Sequence, residues 1–387
     1  MDLSNKLVKP MSLSLIILLV IVNVHVTAFV LESEIQQQFN LSTNAHNYLE
    51  EALTIIEKSS VNKQHIDWHS LRMDVYRKAS NARFPNETYE AIRLAVSLLK
   101  DNHSFFLTPE QFNFLESKNV DESIDIVQSK STLIDNRMGY LLIPSCHSIS
   151  QNALKEYATH VQNEIRTLDQ HNLNKWIIDL RGNMGGNMWP MVLGLRPLIG
   201  EDIFGFFSDG KGEKYAWFYE GQSVKNGDFE MCSLDLPSYQ LNQPHPCVAV
   251  LIDNHTASAG EATVVAFLGR ERTKVFGQNT GGYTSANEVF QLNDGAAIFL
   301  ATTYLTDRLG RIYENGIIPD ETISEEDDGI LKAAIEWLYT GSTSNVPFGL
   351  KRKLPRFSDR KWVNIKLIWT HLRSLNPGAL AQPKRYF

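Results

Sequence analysis

The run Val248-Ala249-Val250-Leu251-Ile252 passes through Asn254-His255-Thr256-Ala257-Ser258-Ala259-Gly260-Glu261 to the apolar positions Val264, Val265, Phe267 and Leu268. A continuous apolar run of this length and β-branched content predicts a buried strand, and the spacing after it predicts a short helix. A buried strand turning sharply into a helix is the signature of an α/β architecture. The turn also carries a hydroxyl. Thr256 is the expected N-cap, Glu261 falls near the first turn where negative charge is favoured, and Ser258 then lies among the unpaired amides of a helix N-terminus. Such a position suits a developing oxyanion. The same residue types commonly do no more than cap a helix, so Ser258 needs partners elsewhere before it reads as a nucleophile.

At the amino end, Lys6 and Lys9 precede an apolar stretch from Leu13 to Val24, and Val26-Thr27-Ala28 has the small residues of a signal-peptidase site. Residues 1–28 are therefore expected to be an export signal or an N-terminal anchor. The run is short for a membrane span of about 20 residues, which favours cleavage. This places the protein in a periplasmic, extracellular or outward-facing membrane-anchored compartment. The net charge of −7 excludes general nucleic-acid binding, because neutralising phosphates demands a basic surface. Only residues 341–387 depart from that balance. Lys351, Arg352, Lys353, Arg356, Arg360 and Lys361 are interleaved further on with Trp362, Ile365 and Trp369. Such a tail either lies on an anionic membrane or packs as a solvated extension. Cys146, Cys232 and Cys247 fit no metal-ligand or C-x-x-C spacing, and no cofactor is implied. Either Cys232 and Cys247 bridge, or all three thiols are free.

From 29 to 118 the period is helical. Tyr48, Leu49, Ala52, Leu53 and Ile56 form one stripe, Trp68, Leu71, Val75 and Ala79 another, and Ile92, Ala95, Val96 and Leu99 a third. They lead to Asp101-Asn102-His103-Ser104. Residues 119–340 then alternate strand-like and helix-like segments. Trp176 to Leu180 is a second buried strand, ending in Arg181-Gly182-Asn183-Met184-Gly185-Gly186-Asn187, a loop whose backbone amides can approach a ligand closely. It lacks the spacing of a nucleotide loop. The aromatic segment at about 201–246 reads as hairpins forming a lid or wall over the site.

Taken in order, Asp101-Asn102-His103-Ser104, Gly139-Tyr140, Asp179 to Asn183 with Gly185-Gly186, Thr256 to Glu261, Gly277 to Gly282 and Gly316-Ile317-Ile318-Pro319-Asp320 resemble the S41 peptidases, the tail-specific or C-terminal processing proteases. The match runs from about residue 85 to 325. It implies a crotonase- or ClpP-like βα core and proteolysis of peptide or protein substrates. The stretch between Phe106 and Gly139 is too short for a PDZ domain. Tyr283 stands where the PDZ-bearing branch carries its lysine base, and Asn287 where it carries glutamine. The sequence is thus similar to the PDZ-less branch, including tricorn-like and nisin-resistance-type proteases, in which histidine is the base.

What the resemblance implies for the site is His103 as general base to Ser258, with amides of Ala259 and of Gly185 or Gly186 as the oxyanion hole. Glu314 stands where tricorn-like enzymes carry a catalytic glutamate, and it is otherwise an exposed turn residue. His255 neighbours Ser258 too closely along the chain to aim its ring as a competing base. An α/β-hydrolase esterase fails on chain order, since the only histidine after Ser258 is His371 in the basic tail. A non-catalytic protein of the same fold remains the alternative, with the aromatic residues from Phe204 to Tyr219 lining a site for an apolar ligand or peptide.

Overall fold

The computed structural model of the protein describes residues 37–120, 128–148, 150–324 and 329–340. The expected signal at 1–28 and the basic tail at 341–387 lie outside the described residues.

The three helical stripes fold onto one another. Helices α1 (Thr43–Ser59), α2 (Trp68–Lys78) and α3 (Tyr89–Ser97) are started by side chains or turns suited to their ends: Ser42 accepts the Ala45 amide, Asp67 accepts the Ser70 amide, and a 3₁₀ turn at Pro85–Thr88 leads into α3. Their apolar faces share one core. β1 (Phe105–Leu107) follows the His103 segment, and α4 (Pro109–Val120) follows β1.

The region beyond builds a sheet of mostly parallel strands. β2 (Lys130–Ile134) and β3 (Met138–Leu142) form a hairpin, its two tip residues Asp135 and Asn136 both at positive φ as a tight primed turn requires. α5 (Gln151–Asp169), β4 (Lys175–Asp179), α6 (Met188–Gly194) and α7 (Arg196–Ile199) come next. Four antiparallel strands follow: β5 (Gly205–Asp209), β6 (Lys214–Glu220), β7 (Ser223–Asn226) and β8 (Phe229–Ser233). Then come β9 (Cys247–Ile252), α8 (Ala259–Phe267), β10 (Thr273–Gly277), β11 (Ser285–Gln291), β12 (Ala297–Asp307), β13 (Ile312–Tyr313), β14 (Glu321–Thr322) and α9 (Gly329–Thr340).

One sheet runs β14-β10-β9-β4-β3-β2, parallel except for the edge strand β2. The other is antiparallel and runs β1-β12-β5-β6-β7-β8, with β11 and β13 also paired to β12. Every residue of β9 is buried, as its unbroken apolar sequence requires of a strand covered on both faces. α5, α6 and α8 share a core with one face of the parallel sheet, and α9 packs on the other. The fold is α/β, with the antiparallel sheet joined to it.

Among the aromatic residues at 204–219, Phe204, Phe207, Trp217 and Tyr219 are buried in the main core, where Trp217 meets Trp189 and Phe207 edge-on, while Phe206, Tyr215 and Phe218 are half-buried. The insertion is a wall continuous with β12, because β5 pairs along Thr303–Asp307. The helical region packs on the antiparallel sheet. Leu292, Ala296, Ile298 and Leu300 of the β11–β12 hairpin complete its core, and Tyr48 and Tyr89 hydroxyls donate to the two oxygens of Asp294 at 2.8 and 2.6 Å.

The three cysteines are buried free thiols, so the Cys232–Cys247 bridge is not formed. Cys232 lies on β8 of the antiparallel sheet and Cys247 opens β9 of the parallel one. Burial pushes the Cys146 thiol up to about 11 and Cys232 to about 12, which suppresses the reactive thiolate. A thiol reagent at neutral pH is expected to label little of the native protein and all three cysteines after denaturation. Two thiols fewer than that in the denatured, unreduced protein would restore the disulfide.

Candidate active site

The elbow is held from beneath by Asp253, the residue that follows β9. Its carboxylate accepts the amides of His255 and Thr256 and, from the neighbouring loop, the amide of Gly182. Thr256 is not the N-cap expected from sequence. Its side chain points inward, donating to Leu180 O at 2.9 Å and accepting the Asp253 amide, so it ties the elbow to the end of β4. The N-cap is Ser258 itself, at φ 53° and ψ −116°. Left-handed backbone at a non-glycine residue costs about 1–3 kcal/mol, and it persists only where the surroundings impose it. A sharp, strained strand-to-helix turn of this kind is the geometry that presents a serine hydroxyl in nucleophile elbows.

The glycine loop packs against the elbow. Asn183 organises it: its carbonyl accepts the Ala257 amide at 2.9 Å, its side-chain amide donates to Ile143 O, and its Oδ1 accepts the Gly185 amide at 3.0 Å. Gly185 has φ 106°, and a Cβ there would come within 2.8 Å of Ala257 O and 2.9 Å of Ser258 Cβ. The glycine is needed for this close approach. The Gly185 N–H is therefore committed to Asn183. The amides of Gly186 and Ala259 have no acceptor among the described residues. Ala259 opens α8, where the helix dipole adds positive potential.

His103 lies in the loop between α3 and β1. Asp101 shapes that loop by accepting the amides of His103 and Ser104, and Asn287 donates to the His103 carbonyl at 2.7 Å. The imidazole Nε2 is 3.4 Å from Ser258 Oγ. On the other side, Nδ1 lies 2.9 Å from the Ser285 carbonyl and 3.2 Å from its hydroxyl. A carbonyl can only accept, so this contact puts the proton on Nδ1 and leaves Nε2 as the acceptor facing Ser258. Burial lowers the His103 pKa below the ordinary histidine value, against the opposing pull of the Ser285 carbonyl and Asp101. Tyr283 packs edge-on to the imidazole at 5.5 Å.

Glu314 makes no hydrogen bond to His103 among the described residues. It is exposed on the turn after β13, and the partner of His103 Nδ1 is Ser285. His255 is also exposed, 3.8 Å from Asp253. Sequence reasoning did not single out Ser285, Asn183 or Asp253. Asp253 had a signal, since an Asp closing a strand before a Thr three residues on is an Asx-turn pattern. Ser285 had none, because its contribution is a backbone carbonyl. Among the described residues no group of three His, Cys, Asp or Glu side chains is arranged to hold a metal ion. No helix among them is long and apolar enough to cross a membrane.

Comparisons with known proteins bear on this geometry. Residues 137–323 match the model of peptidase family S41, a stretch that holds Ser258 and the glycine loop but begins after His103. Over 292 residues the chain is 28% identical to the nisin-resistance protein of Lactococcus lactis subsp. lactis, the match covering 75% of this chain and 86% of that protein. The structure of a lipoprotein from Streptococcus agalactiae is similar with a TM-score of 0.61 at 25% identity, covering 78% of this chain and 98% of that one. The photosystem II D1 C-terminal processing protease is similar in fold, with a TM-score of 0.54 at 15% identity over 77% of this chain and 98% of that one.

Proposed function

Given a chain that has the S41 peptidase fold and matches that family over residues 137–323, we propose that it is a serine peptidase using Ser258 and His103. The observation that carries this reading is the approach of His103 Nε2 to Ser258 Oγ at 3.4 Å, between residues far apart in sequence, at a strained elbow. Catalytic hydrogen bonds are often this long before substrate binds. As Ser258 Oγ attacks a peptide carbonyl, Nε2 takes its proton and then delivers it to the leaving amine, giving an acyl-enzyme that water hydrolyses by the reverse transfers. The Ala259 and Gly186 amides receive the oxyanion. The Ser285 carbonyl takes the orienting role that the family resemblance had suggested for Glu314.

The substrate we favour is an extended or unfolded peptide met outside the cytoplasm, such as a secreted antimicrobial or precursor peptide. This accords with the export-type sequence at 1–28 and with a nisin-resistance protein among its relatives. A groove of about 270 Å³ lies on the antiparallel sheet between the helical region and the wall, lined among others by Lys58, Lys63, Asp209, Tyr215 and Glu288. Glu288 is three residues along β11 from Ser285, so the groove lies about 10 Å from the support of His103 at strand spacing. It has room for a peptide segment remote from the scissile bond. The test of the reading is covalent capture: a fluorophosphonate is expected to label the protein at Ser258 and nowhere else. Labelling that survives Ser258→Ala would reject the assignment.

The orienting role makes its own prediction. Ser285→Ala keeps the carbonyl and loses only the hydroxyl contact, so kcat should fall about fivefold, the equivalent of one net hydrogen bond of about 1 kcal/mol. Glu314→Gln should leave kcat unchanged. A large loss of kcat in the Glu314 variant, with Ser285→Ala neutral, would return the third position to Glu314.

A further inference from the structure

We infer that Glu261 is a positioning residue whose carboxylate clamps the Ser258 elbow to the Thr280–Tyr283 segment and so sets the separation of nucleophile and base, an inference that rests on the Ser/His reading above. The two groups are supported by different sheets. Ser258 follows β9 of the parallel sheet, whereas His103 is held by Ser285 at the start of β11 in the antiparallel one. A residue that bonds both supports is needed to hold them in register.

Glu261, in the first turn of α8, is fully buried. Its Oε2 accepts the amides of Ser258 at 2.8 Å and Tyr283 at 2.9 Å, and its Oε1 accepts the Gly282 amide at 2.9 Å and the Thr280 hydroxyl. All four donors are neutral, and no cation pairs with this carboxylate among the described residues. A helix-capping glutamate needs only the N-cap amide. Here three further donors come from residues 280–283, and that segment leads directly to His103: Tyr283 touches the imidazole ring, and Ser285 takes Nδ1. Contacts lead from the elbow to Glu261, to Tyr283 and to His103, and Ser285, two residues along the chain from Tyr283, meets the same ring at Nδ1. Glutamine has almost the same shape, but its NH₂ would face donors where the carboxylate oxygen accepts them.

The test compares wild type with Glu261→Gln by two readouts. In ¹⁵N-histidine spectra of the wild type, His103 should show Nδ1 protonated and Nε2 unprotonated. Glu261→Gln should mix the tautomers, lower kcat about 100-fold, as expected for a misplaced catalytic pair, and leave KM within about twofold. Thr280→Val, which removes one donor, should move both readouts in the same direction by less, and Thr280→Ser should restore them. That pair carries the test if Glu261→Gln does not fold. Wild-type tautomer signals and kcat in Glu261→Gln, or a loss that appears in KM alone, would overturn the clamp. A wild-type protein that neither cleaves peptides nor takes a fluorophosphonate would instead overturn the peptidase reading, and the spectra would still decide the clamp.

Discussion

Ser258→Ala is expected to lower kcat/KM for peptide cleavage by about 10⁴-fold or more, the scale of loss when a serine-protease nucleophile is removed. The elbow that presents the hydroxyl does not depend on it. The turn is held by the Asp253 carboxylate beneath and by Glu261 accepting the Ser258 amide, a backbone donor that alanine retains. The variant should therefore fold, with a stability loss no greater than the ~1 kcal/mol typical of a lost N-cap. This separates the two roles a serine can have at a helix start. A capping serine, once replaced, lowers the melting temperature and spares activity, whereas a nucleophile does the reverse. The measurement is digestion of a peptide library by both proteins, alongside thermal unfolding. Identical product patterns from wild type and Ser258→Ala would remove the catalytic assignment altogether.

The second large effect is expected at His103. His103→Ala should lower kcat by about 10³-fold or more, because no other base lies on the Ser258 hydroxyl among the described residues. Fluorophosphonate labelling of Ser258 should slow in step, since that reaction also needs the proton removed. In the wild type the base works only when neutral, so activity rises with pH through the His103 pKa. Burial depresses that pKa, and the half-rise should fall below the ordinary histidine value of about 6.5. The depression has a physical use: a base that stays neutral at mildly acidic pH keeps the pair ready over a wider range. A half-rise above 7, or labelling and cleavage that persist in His103→Ala, would show that a different group activates the serine.

Much of the core was legible because it rests on local pattern. The unbroken run at 248–252 could only be a strand covered on both faces, and the stripes of α1 to α3 could only be helices with one buried side. Pattern was less informative where a residue's partner lies far along the chain. The aromatics at 204–219 had the composition of a ligand wall, yet Phe204, Trp217 and Tyr219 fill the core because β5 pairs with β12, a strand about 100 residues later. Thr256 had the identity of an N-cap, but Leu180 O at the end of β4 takes its hydroxyl and the cap moves two residues on. Glu314 was conspicuous and Ser285 was not, though it is the Ser285 carbonyl that meets His103 Nδ1. A carboxylate is conspicuous in a sequence, whereas every residue has a carbonyl and only register decides which one reaches an imidazole.

By itself the sequence determined the α/β core, the elbow carrying Ser258 and the glycine loop beside it, since each follows from apolar period, turn chemistry or the conformational needs of glycine over a few neighbouring residues. Only the tertiary structure decided how closely His103 approaches Ser258, that the Ser285 carbonyl meets Nδ1, that the Gly185 amide goes to Asn183, and that Glu261 accepts both the Ser258 and the Tyr283 amide. Those facts depend on how two sheets are set against each other, and that arrangement is the sum of many contacts between distant residues rather than the property of any one stretch.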